Sequence, residues 1–495
     1  MRVLKLDAEL NEPVLNVAMD TIRKDKQALI FVNTKRSAEK VAEDIAKKLK
    51  NAPDMETIAA DAENVLGTPT KQCLRLSRCL AKGIAFHHAG LHQHQRELIE
   101  DNFRDGKIRI ICSTPTLAAG LDLPAFRAII RDLKRHGGTW GMSPIPVLEY
   151  HQMAGRAGRP GKDPYGEAIT LAKSEDEREE IRETYVRGQP EKIYSKLAVE
   201  PVLRTYVLSL VATGYAVTEE SLIDFFSRTF WAAQYGDMSK LRNIILKMID
   251  LLESYGFIYK RSKQDDFVAA SELDTKEEKL RATLLGKRVA ELYLDPYTAN
   301  HLVSCLRDAR EIGDVQLVSY LQMISHTIEM RPLVRMRKKN EDMVSDFLLE
   351  YSDSLLEAEP SLYDEDFQEF YDSVNTSLFF QDWIEEKDEE FLLERYNIRP
   401  GETRYKLDKA EWLLFACTEF AKILDLRDML RILNKLSVRI KYGVKEELLP
   451  LLKFKNIGRV RARKLFENGL HTSADIRKIS LTSLSQVVGG KLAAS

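Results

Sequence analysis

Two arginines three residues apart, Arg156 and Arg159, stand in the stretch His151-Gln152-Met153-Ala154-Gly155-Arg156-Ala157-Gly158-Arg159-Pro160-Gly161. Held on one short turn, both guanidinium forks can meet a phosphate chain, where their fixed charge and planar donors suit the charge developing on a transferring phosphoryl group. Gly155 and Gly158 let the backbone come close. Taken alone, the stretch also fits, as the lesser reading, an arginine-rich surface turn that only binds an anion. Tyr405 and Trp412, seven apart in a helical pattern with Arg404 alongside, share one face and can stack on successive bases of a single strand, unless Trp412 is core. Near the C-terminus Lys453, Lys455, Arg459, Arg461, Arg463 and Lys464 fall within twelve positions without an acid, a patch suited to DNA phosphates or a solvated basic turn. His87, His88, His92 and His94 have no Cys or acidic ligand at metal spacing, so no metal site is expected.

The elements that must position these residues follow from the pattern. Ala28 to Asn33, Gly83 to His88, Ile108 to Cys112 and Ala128 to Ile130 are short apolar runs, and the polar helical stretches Thr34 to Lys50 and Gln93 to Asn102 follow the first two. Such alternation implies a parallel sheet covered on both faces, with functional residues on the loops after the strand carboxyl ends. Function is therefore expected after Val32, Phe86 and Cys112 and near 150 to 160. Beyond residue 190 the texture turns helical. Glu200 to Ala270 reads as helix, turn at Gly214, helix opened by Thr218, long helix from Ser239 to Tyr255, and a strand pair around Phe257 to Val268, the order of a winged helix. From Asp295 to Ser437 amphipathic helices follow, and Glu341 to Glu386 is acidic without Lys or Arg, a face that repels nucleic acid.

The chain has 495 residues, enough for three or four domains at roughly 150 residues each. Its 74 Lys+Arg against 76 Asp+Glu leave a net charge of -2, so nucleic-acid binding must come from local patches. Five scattered cysteines without a C-x-x-C pair argue against a zinc ribbon or a disulfide framework and fit a reducing, cytoplasmic location. No apolar run approaches the ~18 residues of a membrane span, and the N-terminus lacks the apolar stretch of a signal peptide.

His151 to Gly161 resembles motif VI of superfamily 2 helicases, and the surrounding sequence is similar to the archaeal Hjm repair helicases, relatives of the animal HelQ proteins. In order, Leu29-Ile30-Phe31-Val32-Asn33-Thr34 resembles motif IV, Phe86-His87-His88-Ala89-Gly90-Leu91 the HHAGL signature, and Ser113 to Ala125 motif V. The resemblance implies a RecA-like α/β domain over 1–188, a winged helix over 189–294, a helical bundle with a ratchet helix over 295–437 and a shortened helix-hairpin-helix over 438–495. It also implies residue roles. Arg156 and Arg159 would reach the γ-phosphate of ATP, with Gln152 placing their loop, and Gly120 and Asp122 would face the nucleotide. Asn33, Thr34, His88, Thr114 and Thr116 would line a DNA backbone track, although threonines and asparagines at strand ends often only cap and turn. Between motifs V and VI, Arg131 to Val147 would form a duplex-splitting β-hairpin with Trp140 near its tip, or a surface loop with Trp140 packed beneath it. Arg404, Tyr405 and Trp412 would lie on the ratchet helix, where Tyr405 replaces the family's arginine. Lys455, Gly458, Arg459, Arg461 and Arg463 would meet DNA in the terminal hairpin, with Asn456 where a glycine is expected.

The family's first motor domain carries a G-x-x-x-x-G-K-[ST] loop and an Asp-Glu-x-His box, and neither occurs in these 495 residues. The expected activity is three-prime to five-prime DNA unwinding at forks in repair, by a monomer using ATP with Mg²⁺. ATP turnover would need the first RecA-like domain, which a separate polypeptide could carry, and this chain alone is expected to be inactive. The rival reading is a non-catalytic protein that binds single-stranded or forked DNA; an RNA helicase of the same branch is a third.

Overall fold

The computed structural model describes residues 9–66, 68–136, 141–197, 199–261 and 279–488. They fall into two compact units, Met1–Lys192 with Asp388–Arg404, and Ile193–Lys387 with Tyr405–Ser495.

The first unit is built on a five-stranded sheet. Strands β1 (Ala28–Phe31), β2 (Ile84–His87), β3 (Ile110–Ser113) and β4 (Arg127–Ile130) are buried throughout, so their side chains point into core on both faces, which is why they read as unbroken apolar runs. A hairpin, β5 (Lys134–His136) with β6 (Met142–Pro144), precedes the last strand, β7 (Glu167–Thr170). The sheet order is β2-β3-β1-β4-β7 and every pairing is parallel. The sequence pattern missed β7 because it is an edge strand, only half buried and opened by a glutamate. Arg127, the largest fully buried side chain, holds β4 and β7 to the helix Pro13–Arg23 through Glu167, Asp20 and Thr21 at 2.6, 2.6 and 2.9 Å.

Local capping decides where the covering helices begin. Thr34 caps Lys35–Ala46 by accepting from the Ser37 N–H, and His92 with Gln95 forms a capping box on Gln93–Arg104. Register places Phe31 beside Ser113 and Ile130, and His87 beside Ser113, so the loops after β1 to β4 leave along one edge. Functional residues were expected on that edge, after Val32, Phe86 and Cys112.

In the second unit the helices Glu200–Ala212, Glu219–Ser227, Phe230–Tyr235 and Met238–Ser254 precede the antiparallel pair β8 (Ile258–Arg261) and β9 (Lys279–Ala282). That is the winged-helix order, but the second strand lies further along than the expected Val268, which falls outside the described residues. Gly286 is required where it stands, because a Cβ there would collide with the Phe257 carbonyl. The helices Pro296–Ile312, Leu317–Ser325, Lys338–Tyr351 and Phe367–Ile384 follow, and later Arg427–Tyr442 and Arg459–Glu467. The long helix Pro400–Ile423 starts in the first unit and continues into the second. Among the described residues no helix is long and apolar enough to cross a membrane.

Candidate nucleotide and nucleic-acid site

Motifs V and VI meet through the backbone. Ala125 and Ala157 form an isolated parallel bridge, the Ala125 N–H donates to the Arg156 carbonyl at 2.9 Å, and the Gly158 N–H donates to the Ala125 carbonyl at 2.7 Å. Gly158 holds φ +98°, and Gly166 passes so close that a Cβ on Gly166 would strike the Gly158 backbone. Two glycines therefore set the turn on which both arginines stand.

That turn brings Arg156 to the Ala118 carbonyl and Asp122. The guanidinium donates twice to the Ala118 carbonyl, at 2.6 and 3.1 Å, while its remaining arm reaches the Asp122 carboxylate at only 3.3 Å. Asp122 is 93% exposed, so an incoming phosphate can displace that weak contact while the carbonyl keeps the fork oriented. Gly120 and Gln152 are exposed nearby in sequence on motifs V and VI.

Arg159 does not lie open beside it. Its fork is bidentate on Asp163, at 2.6 and 3.1 Å, and its third arm donates to Gln27 Oε1 at 2.6 Å. The Asp163 side chain has no exposed surface and also takes Lys26 at 2.7 Å. The hydrogen bond from Arg159, joined by Lys26, outweighs its desolvation and holds the carboxyl at about 2. The implied reach of Arg159 to a phosphate is therefore not available in this arrangement. Asp163 was legible as an i,i+4 acid after Arg159; Gln27, on the far side of the chain, was not.

The DNA track divides. Thr114 and Thr116 share a 2.9 Å hydrogen bond at the end of β3, and Thr116 is exposed. The Asn33 N–H is taken by Asp132 at 3.0 Å and the Thr34 hydroxyl by the helix cap, so Thr34 has a complete structural role. His88 is a correction: its ring is fully buried, with Nε2 at 3.2 Å from Glu39, and it cannot touch a strand there. Burial pushes His88 below its usual range, and its Nδ1 accepts from the Gly90 N–H at 3.2 Å, so the neutral ring donates Nε2–H to Glu39. Burial would raise Glu39, but the His88 hydrogen bond and the charges of Arg399 and Arg75 hold it at about 2. Arg96 was not singled out from sequence; it lines a surface cleft with His87, Thr116 and Gly120.

The hairpin between motifs V and VI exists, with Lys134 opposite Pro144 and His136 opposite Met142. Trp140 lies outside the described residues.

In the second unit Tyr405 is 48% exposed, and the Lys409 ammonium stands 5.7 Å from its ring and 4.6 Å from that of Trp412. Tyr405, Lys409 and Trp412 thus form one stripe of the helix, with Arg404 exposed at its head. Trp412 is half-buried, its Nε1–H given to the Leu292 carbonyl at 3.2 Å. In the terminal basic segment Asn456 takes φ +62°, the conformation a glycine would supply, and Gly458 precedes the helix Arg459–Glu467. Lys455 and Arg461 are exposed. Arg459 lies 5.2 Å over the Trp383 ring and donates to the Lys387 carbonyl. Arg463, partly exposed, pairs with Glu386 at 2.7 and 2.8 Å and with Glu447 at 2.8 Å. Among the described residues no group of His, Cys, Asp or Glu is arranged to hold a metal ion.

Two family models match this chain, "Helicase conserved C-terminal domain" over residues 12–161 and "Archaeal helicase, domain 4" over 318–443. Relatives carry the name ATP-dependent DNA helicase Hel308. The protein of Methanococcus vannielii is 39% identical over 94% of this chain and 64% of its own length. That of Methanocella arvoryzae is 37% identical over 98% and 64%, and that of Pyrococcus horikoshii 36% over 95% and 63%. The chain thus spans about 64% of the length of the curated relatives it matches most strongly. Over nearly all its residues it is related to the archaeal Hel308-type superfamily 2 helicases.

Proposed function

We propose, from that kinship and from the meeting of Arg156 with Asp122, that this chain is the second-lobe and DNA-gripping portion of an ATP-dependent DNA helicase. It acts with three-prime to five-prime polarity on single-stranded and forked DNA in repair. Arg156 meets the γ-phosphate, Asp122 a hydroxyl or the ribose, and Gln152 and Gly120 shape the turn around them. Arg159 acts as a strut, because its partner Asp163 is buried. The Lys and carboxylates that would hold ATP with Mg²⁺ and position water correspond to motifs absent from these residues, and a RecA-like partner lobe supplies them. Thr114 and Thr116 hold a strand phosphate, Tyr405 and Trp412 stack on bases, Lys455 and Arg461 hold backbone phosphates, and the β5–β6 hairpin parts the duplex.

The domain limits at 188, 294 and 437 accompany this reading, as does a monomeric state. What carries it is the bridge between Ala125 and Ala157, which aligns Arg156 with an exposed, displaceable acid. The test is ATPase activity with single-stranded DNA, for this chain alone and with a separately expressed first RecA-like lobe from a related helicase. Turnover restored by that lobe and lost in Arg156→Ala supports the motor. Tight DNA binding without restored turnover by any lobe would replace it with the non-catalytic DNA-binding protein.

A further inference from the structure

Residues Asp388–Arg404 cluster with the first unit although the chain around them belongs to the second. Their attachment is specific. The Gly401 N–H donates to the Gly90 carbonyl at 3.1 Å, and a Cβ on Gly401 would fall inside contact distance of the Ala89 and Leu91 carbonyl oxygens. The Arg399 stem crosses Gly90 so closely that a Cβ on Gly90 would strike it. Arg399 Nε then reaches Glu39 at 3.2 Å, and Glu39, only 3% exposed, also gathers Arg75 at 2.7 Å and His88 at 3.2 Å. Glu402 accepts from the Arg399 N–H at 3.0 Å and pairs with Lys35, while Glu390 accepts from the Lys71 N–H at 2.8 Å.

Apart from the Lys71–Glu390 bond, these contacts end at the start of the helix Pro400–Ile423, which carries Arg404, Tyr405 and Trp412. The other end of the attachment is the Ala89-Gly90-Leu91 loop after β2 and the helix after β1, both on the sheet edge that bears the strand-end residues. A buried carboxylate held by two guanidinium groups and a backbone approach only glycine permits form a rigid joint, since each partner would be left desolvated and unpaired if it opened.

We propose that Glu39, Arg399 and Gly401 are positioning residues that fix the start of the helix Pro400–Ile423 to the Ala89–Leu91 loop, so that a displacement of the loop is delivered to Tyr405 and Trp412. The inference rests on the motor reading for its use, but not for its existence. On that reading the lobe and the base-stacking stripe advance together, instead of through a loose linker.

The experiment has two arms. On the 495-residue chain, amide hydrogen exchange is followed for Gly401 to Trp412 in wild type, Arg399→Met, Arg399→Lys and Gly401→Ala. Exchange there is expected to quicken ten-fold or more in Arg399→Met and Gly401→Ala, with recovery in Arg399→Lys and no change in β1 or in Arg427–Tyr442. Unchanged exchange would overturn the joint. With a first RecA-like lobe added, Arg399→Met should keep DNA-stimulated kcat within two-fold while base pairs opened per ATP fall several-fold. An equal loss of both would overturn the transmission. If wild type itself shows no DNA-stimulated turnover, the motor reading fails and transmission falls with it, while the exchange arm still decides the joint.

Discussion

At the scale of single residues, similar side chains are separated by what they touch. Arg156 and Arg159 are three apart in one motif, yet one faces an exposed, displaceable acid and the other a buried one. Arg156→Ala is expected to lower lobe-restored ATPase by on the order of 10³, the usual worth of an arginine at a transferring phosphate. Arg159→Ala instead should lower thermal stability, because Asp163 and Gln27 lose their partner; comparison of turnover and melting temperature for the two variants checks the split. Glu39 and His88 set a pH dependence. Both are held below their unfolded values of 4.5 and 6.5, so both favour folding above those values. Stability should decline as pH falls below about 6.5, when the unfolded chain takes the His88 proton first, and decline further between 4.5 and about 2, when it takes that of Glu39. Thermal melts of wild type and Glu39→Gln across that range check it, the lower step being lost in the variant.

Elements decide which candidate contacts are structural. Thr34 is both a motif residue and the cap of Lys35–Ala46. Thr34→Ala should cost about 1 kcal/mol of stability with single-strand affinity unchanged, and a melt beside a binding titration separates the two roles. Gly158 carries a different burden. With φ +98° it tolerates no Cβ without strain, so Gly158→Ala should cost about 1–3 kcal/mol and misplace Arg156 as well. The stripe Tyr405, Lys409 and Trp412 is legible as a heptad step, and the helix does present it on one side. Trp412→Ala should weaken single-strand binding by about 1–3 kcal/mol if its half-exposed face stacks on a base, measured by fluorescence titration. The strand β7 and the true position of β9 escaped the pattern because short edge strands bury only one side and carry polar residues.

For the whole molecule, the near-neutral balance of charge hid its arrangement. Basic residues clustered near the C-terminus are partly consumed by the acidic stretch before them, since Glu386 takes Arg463. Lys455 and Arg461 stay exposed, so Lys455→Ala should reduce the salt slope of single-strand binding by about 0.7, while Arg463→Ala should leave it unchanged and lower stability. The buried strands and the helices between them, the helicase resemblance and the hairpin between motifs V and VI were readable from sequence, because each depends on neighbours within a few residues or on a contiguous motif. The Gln27 partner of Arg159 and the partners of His88, Arg399 and Arg463 were not. Each of these side chains had many partners of equal local merit, and only the packing that buries Asp163 and Glu39 and draws Glu386 to Arg463 while leaving Asp122 in water chose among them, because desolvation makes pairing obligatory in one place and optional in the other.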